Sequence, residues 1–192
     1  MTTGRPRASS REVLSEAACE LFLERGYDAT SVTDIAVRAG VSRSSFFNYF
    51  ESKEAILWSS LDRRIDRLRA RVPLSDPVAG LVELCDGFAP DSLALALVHA
   101  EAMGVQDEIE RGAAVRQARI ARALSASWSA LGAPPVAAEI AGAAHAAAVM
   151  IAIEGWARSG AGRSSLPDEL ARALAVAAAT LPSLAGATTG LD

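Results

Sequence analysis

Apolar side chains recur every three to four residues along most of the 192-residue chain, a spacing typical of helices that pack on a shared core. The first run covers residues 9–25, and Gly26 follows it where a helix commonly ends. Alternating runs of β-branched and aromatic residues, which indicate strands, are scarce. The pattern therefore predicts an all-α fold of about nine helices.

Two short helices are predicted next, at residues 31–38 and 42–50. Ser31 and Asp34 have the spacing of a capping box, and Ser42 can cap the third helix directly after the turn at Gly40. Two short helices joined by a tight glycine turn and braced by a preceding helix form a helix-turn-helix, whose second helix enters the DNA major groove. Six further helices are predicted at residues 52–71, 78–88, 91–103, 106–131, 135–159 and 167–181.

Four of the ten aromatic residues fall between positions 46 and 50. Phe46 and Phe50 are four apart and can share the core face of a helix, whereas Phe47 and Tyr49 lie off that face. The outer face then also carries Arg43, Ser44, Ser45 and Asn48. Arginine can fork onto guanine or phosphate and asparagine can bridge adenine edges, so this face suits DNA. Packing of Phe47 on another helix and solvation of Arg43 are the alternatives.

Charge separates the two parts of the chain. The net charge is −4, but residues 1–72 hold 12 Lys and Arg against 10 Asp and Glu, and residues 73–192 hold 7 against 13. A basic head on an acidic body permits a nucleic-acid partner at the head. The N-terminal residues form a short basic arm with no apolar signal segment.

The remaining composition points to a cytoplasmic protein. Cys19 and Cys85 lack metal-ligand spacing and read as buried free thiols in a reducing compartment. The uncharged segment 140–153 is too short to span a bilayer, and segment 173–191 is interrupted by Pro182 and Gly186.

Four motifs resemble the DNA-binding domain of the TetR family of transcriptional regulators. They are A-x-x-L-F-x-x-x-G-Y at residues 18–27, T-S-V-x-D-I-A at 30–36, A-G-V-S at 39–42 and F-x-x-Y-F-x-S-K-E at 46–54. The resemblance covers about residues 11–57. It implies a DNA-binding domain at residues 1–52 and a helical effector-binding and dimerisation domain at 53–192.

The resemblance also implies which side chains meet DNA. Phe47 stands where the family usually has Tyr, Ser44 where it has Gly, and Thr33 where a basic residue is common. Lys53 matches the family's phosphate-contacting lysine. The predicted DNA-binding residues are Thr30, Ser31, Thr33, Ser42, Arg43, Ser44, Ser45, Phe47, Asn48, Tyr49 and Lys53.

For the body, the resemblance implies a homodimer that binds a palindromic operator, represses transcription and is released by a small molecule. Small-residue stripes on the last two helices suit close packing against a partner. Packing inside a single chain is the alternative. The predicted interface residues are Ala137, Ile140, Ala141, Ala144, Ala148, Ile151, Leu170, Leu174, Ala177 and Leu181.

Large or polar residues on the alanine-rich helices are the candidates for a ligand pocket, although each can equally be a core residue. They are His99, Met103, Trp128, His145 and Met150. The effector is not specified by the sequence, and no cofactor or metal is expected.

Two other classes compete with a regulator. An enzyme is not expected, because segment 160–165 lacks the G-x-x-x-x-G-K spacing of a phosphate loop and no catalytic constellation is present. A helical adaptor that binds protein and not DNA is the second alternative, favoured by Phe47 and Thr33 and opposed by Arg43 and Lys53.

Overall fold

A computed structural model describes residues 10–160 and 163–180 of the chain. The described residues form ten α-helices and no strand, so the all-α prediction is confirmed. The helices are α1 Ser10–Arg25, α2 Val32–Arg38, α3 Arg43–Phe47, α4 Lys53–Arg69, α5 Pro77–Cys85, α6 Ser92–Val98, α7 Ala100–Met103, α8 Gln106–Ala130, α9 Pro135–Ser159 and α10 Leu166–Thr180.

The tenth helix arises because one predicted helix is split in two. The sequence pattern predicted a continuous helix over 91–103, but His99 adopts φ −115° and ψ 25°, outside the helical region, and separates α6 from α7. The recognition helix α3 is also shorter than predicted and ends at Phe47. Backbone hydrogen bonds from Tyr49 and Phe50 to the Phe46 carbonyl continue past that end, so the difference lies in the final turn.

The chain divides into two compact units. The first holds residues 10–60 and 91–109, and the second holds 61–90, 110–160 and 163–180. The division falls inside α4 and inside α8, so each of these helices contributes residues to both units. The functional boundary predicted between residues 52 and 53 stays a prediction.

The first unit is a helix-turn-helix packed on α6 and α7. Leu14, Ala18 and Phe22 lie on the inner face of α1 and are fully buried, as the helical spacing predicts. The Tyr27 N–H donates to the Met103 carbonyl at 2.8 Å, which ties the turn after α1 to the end of α7.

In the second unit, α4 is joined to α8 by a partly buried ion-pair network. Arg116 donates to both carboxylate oxygens of Asp62, at 3.2 and 2.7 Å. Arg119 donates to Asp62 at 2.6 Å and also to Asp66. Paired arginine–aspartate forks of this kind fix orientation as well as contributing energy. Arg116 and Arg119 are therefore engaged with α4 and do not form a solvated face of α8.

Helix α9 packs along α10 in the same unit. It is also long and apolar enough to cross a membrane by length and composition alone. Of its most apolar 18-residue window, 44% is buried inside the chain. A core helix of a globular protein can have the same length and composition, so these two properties are weak evidence for a membrane span.

Both cysteines are buried and free. Burial raises the pKa of Cys19 to about 11 and that of Cys85 to about 12. Thiols with such pKa values are protonated at neutral pH and unreactive, in keeping with a packing role.

Candidate DNA-binding site

Local hydrogen bonds fix the start of α2, the first helix of the helix-turn-helix pair. The Ser31 hydroxyl accepts from the Asp34 N–H at 3.1 Å, and the Asp34 carboxylate accepts from the Ser31 N–H at 2.9 Å. The predicted capping box is therefore confirmed. Hydrogen bonds from Ser31, together with Arg25 at 3.1 Å, hold the pKa of Asp34 below its usual value. Ser31 thus has a structural role whether or not it also meets DNA.

An arginine clamp fixes α2 against α1. Arg38 donates two hydrogen bonds to Glu24, at 2.9 and 2.7 Å, and a third to Glu20 at 3.1 Å. These bonds lower the pKa of Glu24 and raise that of Arg38. The clamp sets the angle of the helix pair.

The recognition helix α3 presents the face that the sequence predicted. Phe46 and Phe50 are buried, whereas Phe47 is 46% and Tyr49 36% exposed. The Arg43 guanidinium lies over the Phe47 ring, 5.2 Å from its centroid. Stacking four residues apart on one helix limits the rotamers of Arg43 and directs its fork outward.

Three serine hydroxyls at the start of α3 form a small hydrogen-bonded cluster centred on Ser42. The Ser42 hydroxyl caps the helix by accepting from the Ser45 N–H at 3.1 Å. It also lies 2.8 Å from both the Ser44 and the Ser45 hydroxyls. Ser42 and Ser44 are exposed, and so is Asn48 at the other end of α3. This edge can meet a phosphate or a base edge with short polar groups.

Thr30 is a correction to the predicted DNA-binding set. Its side chain is 1% exposed, and its hydroxyl donates to the Gly26 carbonyl at 2.8 Å. The hydroxyl therefore closes the turn after α1 and faces inward. Thr33, the second residue of α2, is exposed and remains accessible.

Lys53 is also engaged within the fold. Its ammonium donates to the carbonyls of Tyr27 at 2.7 Å and Thr30 at 3.2 Å, and it lies 3.8 Å from the centroid of the Tyr27 ring. An ammonium has three donors, so one remains for a phosphate. The geometry nevertheless makes Lys53 a tie between the turn after α1 and the start of α4.

Sequence reasoning missed two residues on this surface. Val37 is 73% exposed and shares the outer face of α2 with Thr33, four residues earlier, so its spacing was a usable signal. The Arg11 guanidinium lies 4.7 Å from the Phe50 ring centroid and 5.7 Å from that of Tyr49. Only the tertiary structure reveals that contact, because α1 and α3 are distant in sequence.

The predicted ligand residues fall in both units. His99 and Met103 belong to the first, where His99 is exposed and Met103 is fully buried. Trp128, His145 and Met150 belong to the second and are half-buried. The Trp128 and His145 rings lie 5.9 Å apart, and His145 Nδ1 is 2.7 Å from the Ala141 carbonyl. A role for these five residues in ligand binding stays a prediction.

The predicted dimer residues do not form one exposed stripe. Ala141, Ala148 and Leu170 are buried within the chain, which is the packing alternative left open by the sequence. Ile140 and Ile151 are exposed, and Ala137, Ala144, Leu174 and Ala177 are half-buried. Leu181 lies outside the described residues.

The exposed apolar residues of α9 coincide only in part with the interface residues predicted from sequence. They are Val136, Ile140, Ala143 and Ile151, and Val176 is the exposed counterpart on α10. The inner face of α9 holds both small and large side chains, since Val149, Ile153 and Trp156 are buried along with Ala141 and Ala148. Among the described residues, no group of three or more His, Cys, Asp or Glu is placed to hold a metal ion.

Sequence comparison shows that the helix-turn-helix resembles that of a known protein family. Residues 14–58 match the profile described as bacterial regulatory proteins, tetR family. The putative mycofactocin biosynthesis transcriptional regulator MftR of Mycobacterium tuberculosis is 34% identical over 91 residues, which cover 47% of this chain and 44% of that protein. The transcriptional repressor DhaR of a Mycobacterium species is 38% identical over 94 residues, which cover 42% of this chain and 48% of that protein.

The similarity to these curated relatives is partial. The transcriptional repressor KstR2 of M. tuberculosis is 37% identical over 105 residues, covering 54% of this chain and 52% of that protein. The chain thus spans about half the length of the curated relatives it matches.

Solved structures extend the likeness to the whole fold. NalD, the secondary repressor of a multidrug efflux pump in Pseudomonas aeruginosa, gives a TM-score of 0.54 at 22% identity and covers 88% of this chain and 94% of its own. The dihydroxyacetone kinase operon activator DhaS gives 0.54 at 16% identity, covering 89% and 95%. At these identities the likeness concerns the fold alone.

Proposed function

Because the chain belongs to the TetR family of bacterial regulatory proteins, we propose that it is a homodimeric transcriptional repressor that binds a palindromic operator and is released by a small molecule. The observation that carries the proposal is the outer face of α3. It combines an oriented arginine, short hydroxyls and an amide on a helix held at the exposed side of a helix-turn-helix.

Electrostatics supports DNA as the partner of this face. No Asp or Glu occurs between residues 35 and 50, so the second half of α2 and all of α3 carry no acidic side chain. Arg43 can fork onto a guanine, and Asn48 can bridge an adenine edge. Ser42, Ser44 and Thr33 are exposed, and their hydroxyls can donate to phosphate oxygens, contacts that fix register without reading sequence.

Release by an effector follows from linkage. A small molecule that binds better to a conformation with the wrong separation of recognition helices lowers operator affinity, and operator DNA lowers effector affinity by the same factor. Leu61, Ile65 and Leu68, which are buried on α4, are the proposed route between effector site and head. DhaR and KstR2, two of the three curated relatives described above, are named as repressors, which supports repression. We place the protein, as a soluble regulator, in the bacterial cytoplasm.

The second candidate is a protein-binding adaptor. The exposed side chains of Val37 and Phe47 favour it, because apolar groups on a helix-turn-helix surface can also meet another protein. Salt separates the two functions. Phosphate contacts release counterions, so DNA affinity falls steeply with salt, whereas an apolar protein contact hardly responds.

The test is fluorescence anisotropy with the DNA upstream of the protein's own gene, at two salt concentrations. Arg43→Gln is expected to weaken specific binding by about 1–3 kcal/mol, because it removes one forked base contact. Arg122→Gln, which removes the same charge from an exposed site on α8, should stay within about twofold of wild type.

Two results would count against the regulator. Equal effects of both substitutions would show that α3 reads no sequence. Failure to bind mixed genomic fragments even at low salt would leave the adaptor as the better function.

A further inference from the structure

A groove of about 490 Å³ lies within the second unit, between the C-terminal half of α4 and α5. We call it the α4–α5 groove. Arg64 and Arg67 of α4 line it together with Arg71, which lies in the turn after α4, and Leu68 and Leu84 form its apolar part. Its volume lies within the range of small-molecule sites. None of the ligand residues predicted from sequence lines it.

Arg64 builds one end of the groove. Its guanidinium donates to the carbonyls of Leu84 at 3.0 Å, Asp86 at 2.6 Å and Gly87 at 2.8 Å, and it lies 4.8 Å from the Phe88 ring centroid. These carbonyls are the free acceptors at and just beyond the end of α5, where a cation is favoured. Arg64 therefore holds α5 against α4 and leaves its donors occupied.

Arg71 and Glu83 close the other end as an ion pair. The hydrogen bond to Glu83 raises the pKa of Arg71. Arg67 follows Arg64 by three residues and so shares its face of α4, and Arg71 lies in the turn that follows and lines the same groove. Arg67 is exposed and has no hydrogen-bond or ion-pair partner among residues 10–160 and 163–180. It is the guanidinium in the groove that is left for a ligand.

Apolar side chains lie beneath this arginine. Leu68 and Leu84 are only 4% and 3% exposed. Gly80 of α5 lies close to Leu68 and Leu74, since a Cβ there would come within 3.1 Å of Leu68 Cδ1 and 2.9 Å of Leu74 Cδ1. The missing Cβ lets α5 approach the leucines closely. An inorganic anion would leave the leucines unused, and a neutral apolar molecule would leave Arg67 unused.

We propose that the α4–α5 groove binds an organic carboxylate with an apolar body, whose carboxylate forks onto Arg67 and whose body covers Leu68 and Leu84. Planar two-point pairing is the contact that a guanidinium makes best. That the carboxylate is the effector rests on the proposed function. Helix α4 contributes residues 53–60 to the first unit, which holds the helix-turn-helix. A molecule bound in the groove therefore contacts a helix that belongs to both units.

The test compares 2-naphthoate with 2-naphthalenemethanol, which has the same apolar body and no charge, by calorimetric titration of the full chain. We expect the carboxylate to bind more tightly than the alcohol. Arg67→Gln should weaken 2-naphthoate about tenfold, the equivalent of one charged hydrogen bond, and leave the alcohol unchanged. Arg67→Lys, which keeps the charge but not the fork, should recover part of the affinity.

Arg63→Gln is the matched control, because Arg63 is an exposed arginine on the same helix that does not line the groove. Equal affinity for acid and alcohol, an equal loss in Arg63→Gln, or no binding of 2-naphthoate at millimolar concentration would each overturn the proposal. The titration contains no DNA. Its failure would leave the regulator proposal standing, and failure to bind an operator would leave the groove proposal standing.

Discussion

Lys53 shows at the scale of one residue how a charge beside the proposed DNA-binding surface can stabilise the fold. Its two short bonds to the carbonyls of Tyr27 and Thr30 satisfy the turn between α1 and α2, and its ammonium packs on the Tyr27 ring. Hydrogen bonds of charged donors in partly buried sites contribute about 1.5–3 kcal/mol each when their partners are otherwise left bare. The residue that the family resemblance assigns to phosphate is thus a positioning residue for the helix-turn-helix.

We therefore predict that Lys53→Met lowers the melting temperature by at least about 3 °C, since loss of even one such bond costs about 1.5 kcal/mol and 1 kcal/mol corresponds to about 2–4 °C in a chain of this size. Operator affinity should fall with it, while the slope of log affinity against log salt stays within about 0.3 of wild type. Lys53→Arg, which can still donate to carbonyls, should restore part of the melting temperature. A slope reduced by about 0.9 at an unchanged melting temperature would assign Lys53 to a phosphate instead.

At the scale of elements, the contact between α8 and α9 depends on one glycine. A Cβ at Gly142 would lie 2.4 Å from the Ser125 hydroxyl, 2.7 Å from the Ala121 carbonyl and 3.0 Å from the Ser125 nitrogen. Two of these atoms are backbone and cannot move without shifting α8. The Ser125 hydroxyl also donates to the Ala138 carbonyl at 3.1 Å, which closes the same contact.

Gly142→Ala is accordingly expected to destabilise the chain by about 1–3 kcal/mol through overpacking, despite the better helix propensity of alanine. Gly155→Ala on the same helix is the control, because its Cβ would meet only the Glu169 carboxylate at 3.8 Å. That change should be neutral or stabilising by up to about 1 kcal/mol. Chemical denaturation of both variants measures the difference, and equal stabilities would contradict the close helix contact.

For the whole molecule, the unburied apolar side chains of α9 and α10 favour a second copy of the chain. Val136, Ile140 and Ile151 on α9 are 70%, 51% and 62% exposed, and Val176 on α10 is 64% exposed. Isolated exposed apolar residues are ordinary, but the three on α9 recur at helical spacing on one side of the helix, and an exposed apolar face is typical of an interface. A two-fold contact would pair this face with itself.

Ile151→Glu is predicted to convert a dimer of two 20.0 kDa chains to monomer in light scattering after size exclusion. The reason is that a self-paired face brings two new carboxylates into one apolar contact, where their desolvation is unfavourable. Val115→Glu makes the same change at a 55% exposed valine of α8 and should leave the dimer intact. A monomeric wild-type chain, or dissociation caused equally by both changes, would contradict this interface.

How far prediction from sequence reached can be seen in α2 and α3. The capping box at Ser31 and Asp34, the cap at Ser42 and the burial of Phe46 and Phe50 all follow from spacing and short-range hydrogen bonding, and the structure confirms them. The split at His99 was not predicted, because the local pattern of α6 and α7 is continuously helical. It can be seen only from the backbone dihedrals.

By itself the sequence determined the all-α class, the helix-turn-helix and its resemblance to the TetR family, because helical periodicity, caps and a short motif depend on residues close along the chain. Only the tertiary structure decided that Thr30 faces inward, that Lys53 bonds to two carbonyls, and that Ile140 and Ile151 face outward while Ala141 and Ala148 are buried. The physical reason is that partners distant in sequence set the orientation and burial of each side chain. Arg67 is a further example. It is the groove arginine left for a ligand because Arg64 bonds to a carbonyl just after α5 and Arg71 pairs with Glu83 of α5, and neither contact can be read from the sequence.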